Sequence, residues 1–202
     1  MNRNKSKSMK NLIRTIGIDD AAFQRNTSKE TFVFGVIIRG HNLVEGILRT
    51  IVTVDGWDAT DKIGVMISSS KYSDQLKGLI LGSSTIAAFN IIDLKKLYEL
   101  TEIPVITILP RLPIEDNIKT ALSKLDDWEE RFAVLKANPQ FSEISYKNQI
   151  GEVCKKYFQQ VGFNNIEEAK EVLRISTYSS SVPECLRLAD LLGQSFKGYT
   201  IS

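Results

Sequence analysis

Four aspartates stand where this sequence turns from apolar to polar, and they are the residues best suited to chemistry. Asp19 and Asp20 close a run containing Leu12, Ile13, Ile16 and Ile18, while Asp55 follows Ile51-Val52-Thr53-Val54 and Asp58 comes shortly after. Acids at strand exits matter because open sheets bind their ligands outside the carboxyl ends of the strands. Carboxylate oxygens there suit Mg²⁺ or Mn²⁺, which keep several waters and take one or two protein carboxylates plus substrate phosphate. A divalent pair would activate water and stabilise the leaving oxygen of a phosphodiester. Asp-Gly is also a turn dipeptide and aspartate a helix cap, a role that fits Asp58. The Asp19-Asp20 pair is harder to read that way, since crowded carboxylates cost several kcal/mol unless a cation or donor compensates.

Other groups give weaker signals. His41, the single histidine, falls in a turn between strands, and no Ser-His-Asp system assembles around it. Gly78, Gly82, Ser83 and Ser84 join a strand to an expected helix but lack the lysine and spacing of a phosphate-binding loop. A helix N-terminus there would still accept a phosphate through its N–H groups. Arg39, Arg111 and Arg174 fall at element ends and are candidate phosphate contacts, and Trp57 and Phe89 are candidates to stack a base. Trp57 suits a core edge equally well, and Arg111, between Pro110 and Pro113, suits a pinned loop.

The elements that must position these groups follow from periodicity. Asn11 to Asp19, Thr31 to Arg39 and Val44 to Asp55 read as three strands of a meander. Ile63, Met66 and Ile67 recur at helical spacing behind Asp58 and Thr60, either of which can cap a helix running to about Ser70. Leu79-Ile80-Leu81 is a short buried strand, Ile86 to Leu100 a helix, and Pro104 to Leu109 another strand. This alternation favours parallel pairing through right-handed crossovers. Beyond Pro110 the pattern turns helical, with Ile114 to Leu122, Asp126 to Ala137, Ile166 to Ser176 and Val182 to Phe196, while Ile150 to Phe158 fits strand or helix. The expected fold is α/β, a mixed sheet that is antiparallel first and parallel later, covered by helices.

At 202 residues the chain suits one domain, here 11–202, after a basic polar tail at 1–10. Its 43% hydrophobic and 25% charged residues exclude a largely disordered chain, and its net charge of +2 neither requires nor excludes a nucleic-acid partner. Cys154 and Cys185 are too few and too far apart for a disulfide framework or a metal knuckle, and read as buried thiols. No run is long enough to span a membrane, so a cytoplasmic location is expected. Nothing in the sequence speaks to oligomeric state.

Several segments together resemble the archaeal family known as domain of unknown function 99, of the UPF0215 type. They are Gly17-Ile18-Asp19-Asp20, Thr53-Val54-Asp55-Gly56-Trp57-Asp58-Ala59-Thr60, Ala87-Ala88-Phe89-Asn90 with Asp93-Leu94, and Val182-Pro183-Glu184-Cys185-Leu186-Arg187-Leu188-Ala189-Asp190. The resemblance runs from about Arg14 to Gln194. That family is similar in fold to endonuclease V, a ribonuclease H-like enzyme, which implies metal-dependent phosphodiester hydrolysis in DNA or RNA. By this resemblance Asp19 takes the first metal position and Asp55 or Asp58 the second. The third does not carry over: where the family reads leucine-leucine-aspartate-glycine this chain has Leu79-Ile80-Leu81-Gly82-Ser83-Ser84-Thr85, so Gly82 stands at the acid's position, and Asp190 on the last helix is the candidate to compensate. Two other readings stand beside the nuclease: a non-catalytic nucleic-acid-binding module that keeps the fold, and a small-phosphate or nucleotide binder using the Gly82 to Ser84 turn.

Overall fold

The structure, a computed structural model, describes residues 12–199. The basic tail expected at 1–10 lies outside them. Three strands open the chain: β1 (Arg14–Asp20), β2 (Glu30–Arg39) and β3 (Leu43–Thr53). There follow α1 (Ala59–Ser68), β4 (Leu76–Leu81), a two-stranded hairpin of β5 (Thr85–Ile86) and β6 (Asn90–Ile91), α2 (Leu94–Thr101) and β7 (Val105–Leu109). The remainder is α3 (Glu115–Leu122), α4 (Trp128–Ala137), β8 (Ser142–Lys147), β9 (Val153–Val161), α5 (Ile166–Ser176) and α6 (Glu184–Gln194).

Seven strands form one sheet in the order β3-β2-β1-β4-β7-β9-β8. The meander is antiparallel, β1, β4 and β7 run parallel, and β9 and β8 return antiparallel. The expected mixed sheet is therefore present, with an antiparallel edge on both sides.

Side chains alternate across the sheet, and each face has its own core. Ile16, Ile18, Val33, Ile37, Leu79 and Leu81 face one way, under Ile63 and Ile67 of α1 and Leu94 and Leu97 of α2. Val36, Ile38, Ile80 and Ile106 face the other, under Val172 and Leu173 of α5 and Cys185, Leu186 and Ala189 of α6. Both cysteines are buried free thiols. Burial lifts the Cys185 thiol to about 11, which makes it inert at neutral pH.

Two glycines let α6 lie directly on β1. A Cβ at Gly17 would fall 2.2 Å from the Leu186 nitrogen, and one at Gly193 would fall 2.1 Å from the Asp20 carbonyl oxygen. Helix backbone therefore touches strand backbone at two points, and the Ala22 N–H donates to the Gly193 carbonyl at 3.1 Å to fasten the seam. Asp190, between those points on the helix, is carried to the exit of β1.

Two expectations need correction, and one open reading is resolved. The stretch read as a helix from Ile86 to Leu100 is helical only from Leu94, because Ala87 and Ala88 take φ of +47° and +67° and turn the β5-β6 hairpin. The segment from Ile150 to Phe158, which fits strand or helix, is strand from Val153, where β9 begins, and its partner β8 carries little sequence signal, since only Ile144 and Tyr146 of that short polar strand are buried. The third strand ends at Thr53 rather than at Asp55, so Asp55 sits in a turn with φ of +53°.

Candidate functional site at the carboxyl ends of β1 and β4

Parallel pairing of β1 with β4 matches Ile18 to Leu81, so the next step along each strand brings Asp19 beside Gly82. Asp19 accepts a hydrogen bond from the Asp20 N–H at 3.0 Å, and Asp20 accepts one from the Ala87 N–H. Asp190 comes in from α6, where Gln194 donates to it at 2.7 Å. Burial raises the Asp19 carboxyl to about 7, the Asp20 charge adds to the shift, and the Asp190 charge contributes a smaller part. Burial also raises Asp20, against the lowering effect of the Ala87 N–H. Among the described residues none of these three carboxylates has a basic partner, and that is the unusual feature of this end of the sheet.

Asp55 and Asp58 are in a different situation. In the sheet order β3 is separated from β1 by β2, so Asp55 does not share a point with Asp19. It reaches the loop after β5 instead: its N–H donates to the Ala87 carbonyl at 3.0 Å and its carboxylate accepts the Phe89 N–H at 2.9 Å. Asp20 and Asp55 thus clamp the Ala87-Ala88-Phe89 turn from two sides. Left-handed φ at a non-glycine costs about 1–3 kcal/mol and persists only where surroundings enforce it, which these bonds do. Asp58 takes the Thr53 N–H and hydroxyl, the Asn90 amide at 2.6 Å and the Lys62 ammonium at 2.8 Å. Burial acts to raise its carboxyl, but the bonds from Lys62, Asn90 and Thr53 outweigh it and hold the group below its ordinary range. Asp58 fixes the end of β3 and makes no side-chain cap on α1.

One residue that sequence reasoning missed organises this second group. Arg131 of α4 is 4% exposed. Its guanidinium donates to the carbonyls of Asp55, Gly56 and Phe89 at 2.6–2.9 Å and to both carboxylate oxygens of Asp127. The Trp57 ring lies over it at 4.6 Å and donates its own N–H to Asp127 at 2.7 Å. Hydrogen bonds from Arg131, then from Trp57, depress the Asp127 carboxyl to about 2. The one sequence signal was the i,i+4 spacing of Asp127 and Arg131 on a charged helix, which points to a surface pair and not to a buried anchor.

The other sequence candidates scatter. Arg39 pairs with Arg14 in register at the opposite end of β1 and is bound to Glu45 at 2.8 Å, so it is not part of this group. Arg174 is engaged with Glu171. His41 stacks on Tyr178, with ring centroids 5.0 Å apart. Phe89 and Arg111 both line a cavity of about 610 Å³ that opens beside Ser83 and Ser84 and is backed by Phe132 and Gln159. No helix starts at Gly82-Ser83-Ser84, since the chain continues into β5, so the helix-end phosphate site anticipated there is absent. Gly82 has room for a side chain: the nearest atom to a Cβ there is Leu186 Cδ2 at 3.9 Å.

In kind the donor set fits a hard divalent cation, because Asp19 and Asp190 offer carboxylate oxygens with no basic group beside them among the described residues. In number it is short: among the described residues no three His, Cys, Asp or Glu side chains converge to hold a metal. One or two carboxylates with water and a substrate phosphate are nonetheless an ordinary Mg²⁺ environment. No helix among the described residues is long and apolar enough to cross a membrane.

Comparison with known proteins agrees with this architecture. The UPF0215 protein Mbar_A0619 of Methanosarcina barkeri is 36% identical over 180 residues, covering 89% of this chain and 88% of that protein. A solved protein of unknown function from Archaeoglobus fulgidus superposes with a TM-score of 0.78 at 29% identity, over 91% of this chain and 98% of the other. Endonuclease V of Ciona intestinalis, solved with a DNA containing inosine, superposes with a TM-score of 0.55 over 90% of this chain and 84% of its own, a likeness of fold at 12% identity. Residues 11–197 match the family described as Endonuclease dU, and the chain belongs to that family.

Proposed function

We propose that this protein is a metal-dependent nuclease that hydrolyses a phosphodiester of nucleic acid at the shared exit of β1 and β4. The observation that carries the reading is the placing of Asp19, Asp20 and Asp190 at one strand exit with no basic partner among the described residues, where burial first, and then the Asp20 charge, raises Asp19 to about 7. Such a cluster is costly to the fold and is relieved by a cation or a proton. A Mg²⁺ or Mn²⁺ ion held by Asp19 and Asp190 would polarise the phosphodiester and acidify a water. Asp20 and Asp55 serve through the backbone, holding the Ala87-Ala88-Phe89 turn against the site. Phe89 and Arg111 border the cavity that opens beside Ser83 and Ser84, where a base would lie. The family's description and the endonuclease V fold support a nucleic-acid substrate and suggest deoxyuridine or inosine as the first bases to try.

The test is incubation of wild type and Asp19→Asn with Mg²⁺ or Mn²⁺ and labelled oligonucleotides carrying one deoxyuridine or one inosine. Wild type cuts and the variant does not. Cleavage that is absent, or that survives the substitution, refutes the enzyme. A second reading, a binding module without chemistry, is favoured by Gly82, where the resemblance expects an acid. It predicts affinity that falls steeply with salt and no cleavage at any metal concentration.

A further inference from the structure

We infer that Arg25 is a phosphate-contacting residue at the rim of this site, taking a backbone phosphate of the nucleic-acid strand beside the one held at Asp19. The inference rests on the nucleic-acid reading above and adds a residue that neither the motifs nor the fold assigned. Arg25 lies on the connection from β1 to β2, in a turn closed by the Thr27 and Ser28 N–H groups on the Gln24 carbonyl at 3.0 and 2.8 Å. A third bond, from the Gln24 N–H to the Ser28 hydroxyl at 3.1 Å, fixes the other side of the turn. The residue is therefore presented from an ordered turn that leaves the acidic strand.

Its guanidinium is oriented but not satisfied. It lies over the Phe89 ring, 4.2 Å from the centroid, which holds its plane. Two N–H groups face the Asp55 carboxylate at 3.3 and 3.4 Å, at the outer edge of hydrogen bonding and well beyond the roughly 2.7–2.9 Å of a charge-assisted bond. One of the Asp55 oxygens already accepts the Phe89 N–H at 2.9 Å, so the carboxylate is only partly available to the arginine. A guanidinium carries five donors in a fixed fork, and this side chain remains 42% exposed. The neighbouring cations are committed: Arg131 is buried on three carbonyls and Asp127, and Lys62 is on Asp58 at 2.8 Å. A phosphate, with two non-bridging oxygens that match the fork, can replace the long Asp55 contacts with short ones while the Phe89 shelf keeps the plane. The same positive charge would lessen the repulsion a polyanion meets on approaching Asp19 and Asp20.

Fluorescence anisotropy on a labelled single-stranded DNA carrying one deoxyuridine, without divalent metal, between about 50 and 200 mM salt, tests this on wild type, Arg25→Ala and Arg25→Lys. Arg25→Ala should bind about 5- to 30-fold more weakly, with the slope of log affinity against log salt shallower by about one phosphate contact. Arg25→Lys should keep the slope and recover only part of the affinity, since it keeps the charge and loses the fork. The unfolding midpoint of Arg25→Ala should match wild type, which separates a contact from a fold defect. Equal affinity and equal slope in wild type and Arg25→Ala overturn the assignment of Arg25 and leave the nucleic-acid reading standing. A wild type that does not bind in this assay overturns the assignment of Arg25, while cleavage by wild type in Mn²⁺ decides the nuclease reading separately.

Discussion

Two groups of acids lie on either side of the Ala87-Ala88-Phe89 turn, and they differ in what answers their charge. Asp55, Asp58 and Asp127 are met by Arg25, Lys62, Arg131, Asn90 and main-chain N–H groups, and two of them are held below their ordinary range. Asp19, Asp20 and Asp190 have main-chain N–H groups and the Gln194 amide but no basic partner among the described residues, and both described shifts run upward. Acids of the first kind hold structure together. Acids of the second kind strain it, and on the proposed reading a bound cation relieves that strain.

Substitutions on the two sides should therefore change stability in opposite directions. The largest effect is expected at Arg131. Arg131→Ala leaves the buried-side carbonyls of Asp55, Gly56 and Phe89 without their donor, while Asp127 keeps the Trp57 N–H, and should destabilise by about 3–5 kcal/mol in urea unfolding at neutral pH. A loss below about 1 kcal/mol would show that the compensated side is not held as described.

Asp19→Asn should act the other way, with a pH signature. The carboxyl titrates near 3.8 when unfolded and near 7 when folded, so the fold favours its protonated form. Stability from this group is present at low pH, is lost as pH rises from about 4 to 7, and amounts to roughly 4 kcal/mol in all. The asparagine variant lacks that dependence and should be the more stable protein at pH 8 while having lost cleavage. Urea midpoints of both proteins at pH 5 and pH 8 check this, and a variant less stable than wild type at pH 8 would contradict it.

Gly82→Asp sharpens the contrast by adding an acid to the strained side. Its Cβ meets nothing closer than 3.9 Å, so the expected effect is electrostatic: about tenfold tighter Mn²⁺ binding by calorimetry and lower stability without metal. Unchanged Mn²⁺ affinity would mean that Gly82 does not face the cation. The smallest effect belongs to Asp58→Asn. Its carboxyl is partly exposed, so the lost bonds to Lys62 and Thr53 should cost only about 1 kcal/mol. Because its carboxyl is depressed, that contribution is present above the ordinary aspartate pKa and disappears as pH falls through the lowered value. Unfolding at pH 7 and at pH 3 compares the two cases.

The strained side was more legible in the sequence than the compensated one. Apolar residues running into Gly17-Ile18-Asp19-Asp20 announce both a buried strand and its acidic exit, and the pattern around Asp190 announces a helix. What periodicity could not tell was that Gly17 and Gly193 bring that helix onto backbone, and so bring Asp190 to the acids. On the other side the decisive partners are remote in sequence: Asp58 meets Asn90, and Asp55 meets Phe89 and Arg131. Nothing local separates such an aspartate from a ligand. The misread helix over Ile86 to Leu100 has the same origin, since Ala87 and Ala88 favour helix on their own and are held left-handed by Asp20 and Asp55.

If a cation and then a phosphate settle on the cluster at the exit of β1, Mn²⁺ titration followed by thermal unfolding at pH 8 shows it most directly. Wild type should gain about 2.7 kcal/mol when Mn²⁺ reaches about 100 times its Kd, and Asp19→Asn should gain almost nothing. Equal gains in the two proteins, or none in wild type, would contradict it.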